Sequence, residues 1–596
     1  MAGGTDVKMN IHEHGTWVEG RTRVQCNSCG KRMTNFYRLK LHLAYVGKDV
    51  TYCPRVSLTT RMAFYTMLME LRSRKSGASK NVNAAKPSPG RPRKRVSPEN
   101  ENAAVEADKQ SQRCLARFLY EHGVDFSALD STSFQELMTT VTGGKLALKI
   151  PDSRDLNGWM LQEALKEVQD RVKEIKDSWE ITGCSILLDA WIDQKGRDLV
   201  SFVADCPAGA VYLKSSDVSG IKTDVTALKS LVNGIVEEAG VHNVIQIVAC
   251  STSGWVGELG KLLAGHDMKV FWSVSISHCI ELMLVEIGKM HSFGDILNKV
   301  NIIQESIHNN PSLLKIFRAH SHGVDVTALA SEFEFVTPYL TVENMFRAKM
   351  AGMFASSYWK EEEANIVAVL SLVSDSSFWE SVERVVRCTS ALVHGLLRLS
   401  TANNMHVGYV YDILNSIKLS TALNFKNEKQ IYQPIWDVVD DVWKHHLYNP
   451  LHGAGYFLNP TAYYSGNFHL SQEVYTGLTF SMVHMVKEAR LQVTIAAQIG
   501  MYRLGKSCFN EASQADQISG IFPVDWWTQN GGQHAELKSF AVKILSQTCE
   551  GAWKYKLKRG LAEKLLLTEG MSHCEKKHVE EMAFVHYNLH LQSHSK

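Results

Sequence analysis

At 596 residues and 45% hydrophobic content the chain is too long for one hydrophobic core and apolar enough to build several. Its formal net charge of +2 conceals an uneven distribution: residues 71–95 hold nine Lys or Arg and no acid, which points to a polyanionic partner for the N-terminal part. No run approaches the roughly 18 apolar residues of a membrane span, and the cysteines are mostly scattered singly through apolar segments, so a signal peptide, a membrane anchor and a disulfide framework are not expected and an intracellular chain is.

Residues 10–60 read as a compact Cys/His unit. Cys26-x2-Cys29 is followed after twelve residues by His42 and after ten more by Cys53, a Cys3His set that suits tetrahedral Zn²⁺. Phe36, Tyr37, Leu39, Leu41 and Leu43 offer a core too small to be stable without the metal. Residues 21–55 carry eight Lys or Arg against one acid, Asp49, so Arg21, Arg23, Lys31, Arg32, Arg38 and Lys40 are expected to meet DNA phosphates.

Residues 76–110, rich in Lys, Pro, Ser, Asn and Ala, read as a disordered basic linker. Within it, Arg91, Arg93, Lys94 and Arg95 form either a nuclear-import cluster or, through Gly90-Arg91-Pro92, a partial likeness to an AT-hook. A helical entry segment, 111–180, places Leu161, Leu165, Val168, Val172, Ile175 and Trp179 on one stripe. Residues 181–295 then alternate apolar runs and turns in the order strand, strand, strand, helix, strand, helix, strand, helix, which predicts a mixed α/β sheet covered by helices. Helical patterns dominate 296–490, and 491–596 returns with "VDWW" and two amphipathic helices.

Taken together, "CNSCGK…YRLKLHLA…VTYC", "GCSILLDAWID", "NVIQIVACSTSGW", "SHCIELMLVEIGK", "VDWW" and "FVHYNLHL" resemble the blocks of plant hAT-superfamily transposase-like proteins that carry an N-terminal BED-type zinc finger. The resemblance implies a multidomain α/β chain: a BED finger, an RNase H-like mixed sheet interrupted by a large all-α insertion, and a C-terminal helical region for dimerisation. It also implies a two-metal site held by three carboxylates. Asp189 matches the first, with Ala190 for the usual Gly; Cys250 stands where the second is expected; and Glu550, three residues before Trp553, matches the third. Ser275 replaces the Cys of a nearby Cys-x2-His motif whose His is His278. A thiol is a poor ligand for Mg²⁺, so Asp189 and Glu550 are expected to be remnants. Leu537, Phe540, Ile544 and Leu545, with Val579, Met582 and Leu589, match the dimerisation region.

The expectation is therefore a nuclear, zinc-dependent, DNA-binding homodimer acting on transcription or chromatin, not an enzyme, with no membrane or small-molecule partner. The competing readings are a working hAT transposase or metal-dependent nuclease, and a protein-interaction scaffold with a vestigial finger.

Overall fold

Two units are distinguished by their internal packing, residues 1–97 and 98–596. The computed structural model describes residues 11–18, 22–44, scattered positions from 50 to 68, 98–141, 150–263, 270–290, 293–321, 325–326, 333–354, 364–401, 406–466, 468–505, 509, 518, 521–567 and 570–594. Arg21, Arg91, Arg93, Lys94 and Arg95 lie outside the described residues, as does the linker as far as residue 97.

In the first unit the strands β1 (Gly15–Val18), β2 (Arg23–Cys26) and β3 (Arg32–Met33) form an antiparallel meander before helix α1 (Phe36–Ala44). Asn35 starts the helix by accepting the Arg38 N–H at 2.9 Å, as N-cap side chains do. Leu39 and Leu43, one turn apart, bury against Val24 and Met33.

The second unit opens with α2 (Pro98–His122), which begins inside the stretch expected to be unstructured. Pro98 takes the first-turn position where its missing N–H costs nothing, and Ala103, Ala104 and Ala107 favour helix strongly enough to outweigh the polar composition. The stripe from Met160 to Ile175 forms α3 (Trp159–Asp177), with Leu161, Leu165, Val168, Val172 and Ile175 all buried.

The sheet consists of β4 (Cys184–Ile192), β5 (Asp198–Cys206) and β6 (Gly209–Asp217), then, after α4 (Val225–Ala239), β7 (Val244–Ala249), and, after α5 (Gly254–Leu263), β8 (Phe271–Val274). Its order is β6-β5-β4-β7-β8, with β4, β5 and β6 antiparallel in succession and β4, β7 and β8 parallel. Gly183, at φ +65°, makes the entry into β4 possible, because a Cβ there would sit 2.4 Å from Ile245. Period-two alternation divides the sheet. Ile186, Leu188, Phe202 and Ile247 face one core with α3 and α4, whereas Leu187, Trp191, Val203 and Val248 face a second core with Tyr555, Leu565 and Tyr587.

After α6 (Ile276–Met290) and α7 (Phe293–His308) the chain is helical through α8 (Thr337–Met350), α9 (Ser376–Thr401), α10 (Val410–Asn424), α11 (Lys429–Val442), α12 (Pro450–Leu458), α13 (Gln472–Met485) and α14 (Ala489–Arg503). It then returns to the sheet by α15 (Ala535–Leu545), α16 (Arg559–Leu565) and α17 (His573–His594). Trp526 and Trp527 anchor a separate helical core, and the Trp527 indole donates to Leu458 O at 2.8 Å. Among the described residues no helix is long and apolar enough to cross a membrane.

Four of the side chains expected to dimerise the chain, Leu537, Phe540, Ile544 and Leu545, instead fill that helical core, and Leu589 is buried in the core of the sheet. Val579 and Met582 are half-buried against the same molecule. Helical periodicity marks a face that must be covered, and here the chain covers it itself.

Acid sensitivity follows from the buried histidines. Burial holds His452 down at about 3 and His406 at about 4, and it lowers His586 as well. In the unfolded chain these rings titrate near 6.5. As pH falls below that value the unfolded state takes up protons that the folded state refuses, so stability is lost on acidification, by up to ~1.4 kcal/mol per pH unit for each ring. Urea unfolding between pH 7 and 4.5 is expected to show this slope, and His452→Leu to reduce it by one proton; a slope unchanged by the substitution contradicts the assignment.

Candidate functional site

Two sets of candidate residues stand out, one in each unit, and the first is a cluster of metal-ligating side chains. In the first unit the turn Cys26-Asn27-Ser28-Cys29-Gly30-Lys31 is closed by two backbone bonds, Gly30 N–H to Cys26 O at 2.8 Å and Cys26 N–H to Lys31 O at 2.9 Å, with Gly30 at φ +77°. The turn brings both thiols towards α1, which supplies His42, while Cys53 N–H donates to His42 O at 3.1 Å and returns the fourth ligand.

The Sγ atoms of Cys26 and Cys53 are 3.9 Å apart, Cys29 Sγ is 3.2 Å from His42 Nε2, and all four ligand atoms lie within 4.8 Å of one another. Tetrahedral zinc with Zn–S bonds of about 2.3 Å sets sulfurs about 3.8 Å apart. His42 Nδ1 lies against the Thr51 carbonyl, which can only accept, so the ring proton resides there and Nε2 offers its lone pair to the centre. Burial pushes the Cys53 thiol up to about 11, and the crowding of Cys26 and Cys29 adds to it. A dication among three thiols reverses that penalty by stabilising the thiolates. The donor set fits a metal ion and is consistent with Zn²⁺. Around it Arg23, Lys31, Arg32 and Arg38 are exposed and Lys40 half-buried.

The second set lies on the sheet. Register pairs Leu188 with Ala249, so the next residues, Asp189 and Cys250, are neighbours. Period two puts Asp189 on the face of Leu187 and Trp191, which the C-terminal segment covers. There Arg559 donates to both carboxylate oxygens, at 2.9 Å from Nη2 and 3.4 Å from Nε, and lies over the Trp191 ring at 5.1 Å. Burial raises the Asp189 carboxyl above the ordinary range, and Arg559 opposes the rise. Cys250 accepts the Ala190 N–H at 3.2 Å, and its thiol is pushed up to about 12, first by burial and then by the Asp189 charge.

Glu550 is fully buried. It accepts Ser277 N–H at 3.2 Å, Ser277 Oγ–H at 2.7 Å, its neighbour Gly551 N–H at 2.8 Å and the Trp553 indole N–H. Ser277 opens α6, so the carboxylate caps a helix N-terminus, a favourable place for negative charge. His278 receives the Thr252 N–H on Nε2 at 3.3 Å and donates from Nδ1 to Glu281 at 3.1 Å. Among the described residues the Cys/His set is the one group of three or more such side chains close enough to share an ion.

The end of an apolar run pointed to Asp189, and the resemblance to hAT-like blocks to Asp189, Cys250 and Glu550, but neither pointed to most of the partners that occupy them. Trp553 lies three residues from Glu550, but Arg559 and Ser277 lie on elements remote in sequence from Asp189 and Glu550, and the one available signal for Arg559 was the basic run "KYKLKR" at 554–559.

Residues 151–303, from the end of the helical entry through the sheet to α7, match a family described as a domain of unknown function, DUF659. That domain is found in hAT-family transposase-like proteins. No curated protein matches the chain.

The Asp189–Arg559 pair carries a measurable load. Arg559→Ala leaves a buried carboxylate without its counter-charge and is expected to cost about 2–3 kcal/mol at pH 7, below the full penalty for a buried pair because the guanidinium is half exposed. An unpaired Asp189 has a folded pKa raised further, so the cost is full above that value and shrinks as pH falls towards 4, where the buried carboxyl of the folded protein takes up its proton with or without the arginine. A cost that is equal at pH 7 and pH 4 contradicts the pairing.

Proposed function

We propose that the chain is a DNA-binding descendant of a hAT transposase, nuclear, in which a zinc-folded BED-type finger recognises DNA and the RNase H-like domain no longer performs two-metal phosphoryl transfer. The observation that carries the binding half is the four-ligand Cys/His centre inside a unit whose exposed side chains include Arg23, Lys31, Arg32 and Arg38. A metal-dependent fold with a basic surface is suited to phosphate contact. When bound, zinc supplies folding free energy and no chemistry; Cys26, Cys29, His42 and Cys53 would hold it, and Thr51 O would fix the His42 tautomer.

The RNase H-like reading is supported by the DUF659 match and by a five-stranded sheet in the order β6-β5-β4-β7-β8. Loss of activity is supported by what surrounds the three positions. Two divalent ions need bridging carboxylates with free lone pairs. Asp189 faces a guanidinium, Cys250 is a half-buried thiol, and Glu550 has its oxygens taken up by Ser277, Gly551 and Trp553. Homodimerisation belongs to the same reading; Leu537, Phe540, Ile544 and Leu545, the residues expected to serve it, are buried within the chain's own helical core.

Cys26→Ser or Cys53→Ser is expected to abolish zinc binding at the finger and to weaken DNA binding at least tenfold, read by metal analysis and a mobility shift. Full zinc content with unchanged affinity overturns the finger assignment. Incubated with DNA and Mg²⁺ or Mn²⁺, the wild-type protein is expected to give no cleavage or strand transfer. Divalent-dependent cleavage that disappears in Asp189→Ala establishes the nuclease reading instead.

A further inference from the structure

The segment Lys554–Arg559, "KYKLKR", holds four basic residues and no acid. Its two apolar residues turn inward, Tyr555 buried against the sheet and Leu557 half-buried, while Lys556 and Lys558 are exposed between and beyond them. Tyr555 is fixed by a hydrogen bond to Asp205 at 2.5 Å, and Lys554 is committed to the same carboxylate at 2.8 Å. The anchoring leaves the alternate positions as a basic strip. Lys558 reaches only the His122 carbonyl, at 2.9 Å, and no acid is paired with it or with Lys556 among the described ion pairs.

The strip ends at Arg559, whose half-exposed guanidinium lies on Asp189. Beside Asp189 follows Cys250, and after it the loop Ser251-Thr252-Ser253, in which the two serine hydroxyls bond each other and the Thr252 hydroxyl lies 3.3 Å from His278 Nε2. The acids nearby are engaged. Glu281 pairs with His278 at 3.1 Å, and Glu563 accepts the Trp191 indole at 3.1 Å. A cluster of free carboxylates would repel a phosphate chain unless divalent ions lay between them. Here one carboxylate is neutralised by Arg559, one position is a thiol, and one carboxylate is sealed in the interior, while Lys556 and Lys558 stand exposed just before Arg559 in the chain.

We propose that Lys556 and Lys558, exposed beside the Arg559–Asp189 pair, form a second nucleic-acid contact on the 98–596 unit, one that grips the phosphate backbone of DNA without a divalent ion. This contact does not rest on the finger reading, because its residues belong to another unit and need no zinc. It is sequence-independent, since backbone phosphates carry no base information. It adds to the finger through the effective concentration of a tethered second site.

The test uses the full chain and a fluorescent duplex of random sequence, titrated in EDTA over a range of salt. In a Cys26→Ser background, which removes the finger, salt-sensitive binding is expected to persist, and Lys556→Glu/Lys558→Glu to weaken it at least tenfold. In the otherwise wild-type chain with zinc, the double substitution is expected to reduce the slope of log K against log salt by about 2, one phosphate contact per lysine. Thermal unfolding monitors folding, and Lys556→Gln/Lys558→Gln is expected to fall between the two.

Binding in the Cys26→Ser background that is indifferent to the double substitution overturns the proposal, as does binding there that requires Mg²⁺. Polyglutamate of equal charge competing as well as DNA also overturns it, by reassigning the strip to an acidic protein. If Cys26→Ser leaves DNA affinity unchanged while the lysine substitutions abolish it, the finger reading fails and this one stands.

Discussion

The large unit depends on one buried polar stitch. Ser546–Trp553 arrives at the sheet after the whole helical region, and several of its buried polar groups are satisfied by residues of the first part. Gln547 donates to Thr182 O at 2.8 Å and accepts from Ser185 Oγ at 2.9 Å; Ser185 in turn accepts from Gln246 at 3.0 Å; Ile276 N–H donates to Cys549 O at 3.0 Å; and Glu550 holds Ser277. Each buried group left unpaired costs ~1–3 kcal/mol, and the groups polarise one another, so the segment docks as a whole or not at all. The intervening helices must therefore deliver α15 to one place, and the apolar faces of α15 and α17 are used up in doing so.

That docking also determines the chemistry at the sheet centre. By fixing the 3-10 turn Ala552–Tyr555 and the segment after it against Leu187, Trp191 and Val203, it brings Arg559 onto Asp189. A carboxylate at that depth needs a positive partner, either a metal shared with other acids or a side chain. With a thiol at 250 and Glu550 turned to α6, the side chain is the partner that remains.

Much of this was legible in the sequence where the signal is local. The spacing of Cys26, Cys29, His42 and Cys53 reflects a turn and one helix face, and the four meet. The stripe from Leu161 to Trp179 and the period-two runs from Ser185 onward became α3 and the sheet, because periodicity reports directly which face is buried. What depends on distant partners was not legible. Glu550 and Asp189 look alike as acids near tryptophans, yet one caps a helix and the other pairs with an arginine remote in the chain. Periodicity at Leu537–Leu545 cannot tell a face covered by a second copy from one covered by the chain's own helices. Composition misled at residues 98–110, where the alanines and a proline at the first turn favour a helix that a count of polar residues hides.

The account rests most heavily on the claim that Arg559 stands in for a metal at Asp189. Electron paramagnetic resonance of the zinc-loaded, full-length protein titrated with Mn²⁺ tests it directly, because bound Mn²⁺ loses the sharp signal of the free ion. No saturable Mn²⁺ binding is predicted up to millimolar concentration, with the free-ion signal rising in proportion to the ion added. Saturable binding that is lost in Asp189→Asn would contradict the account.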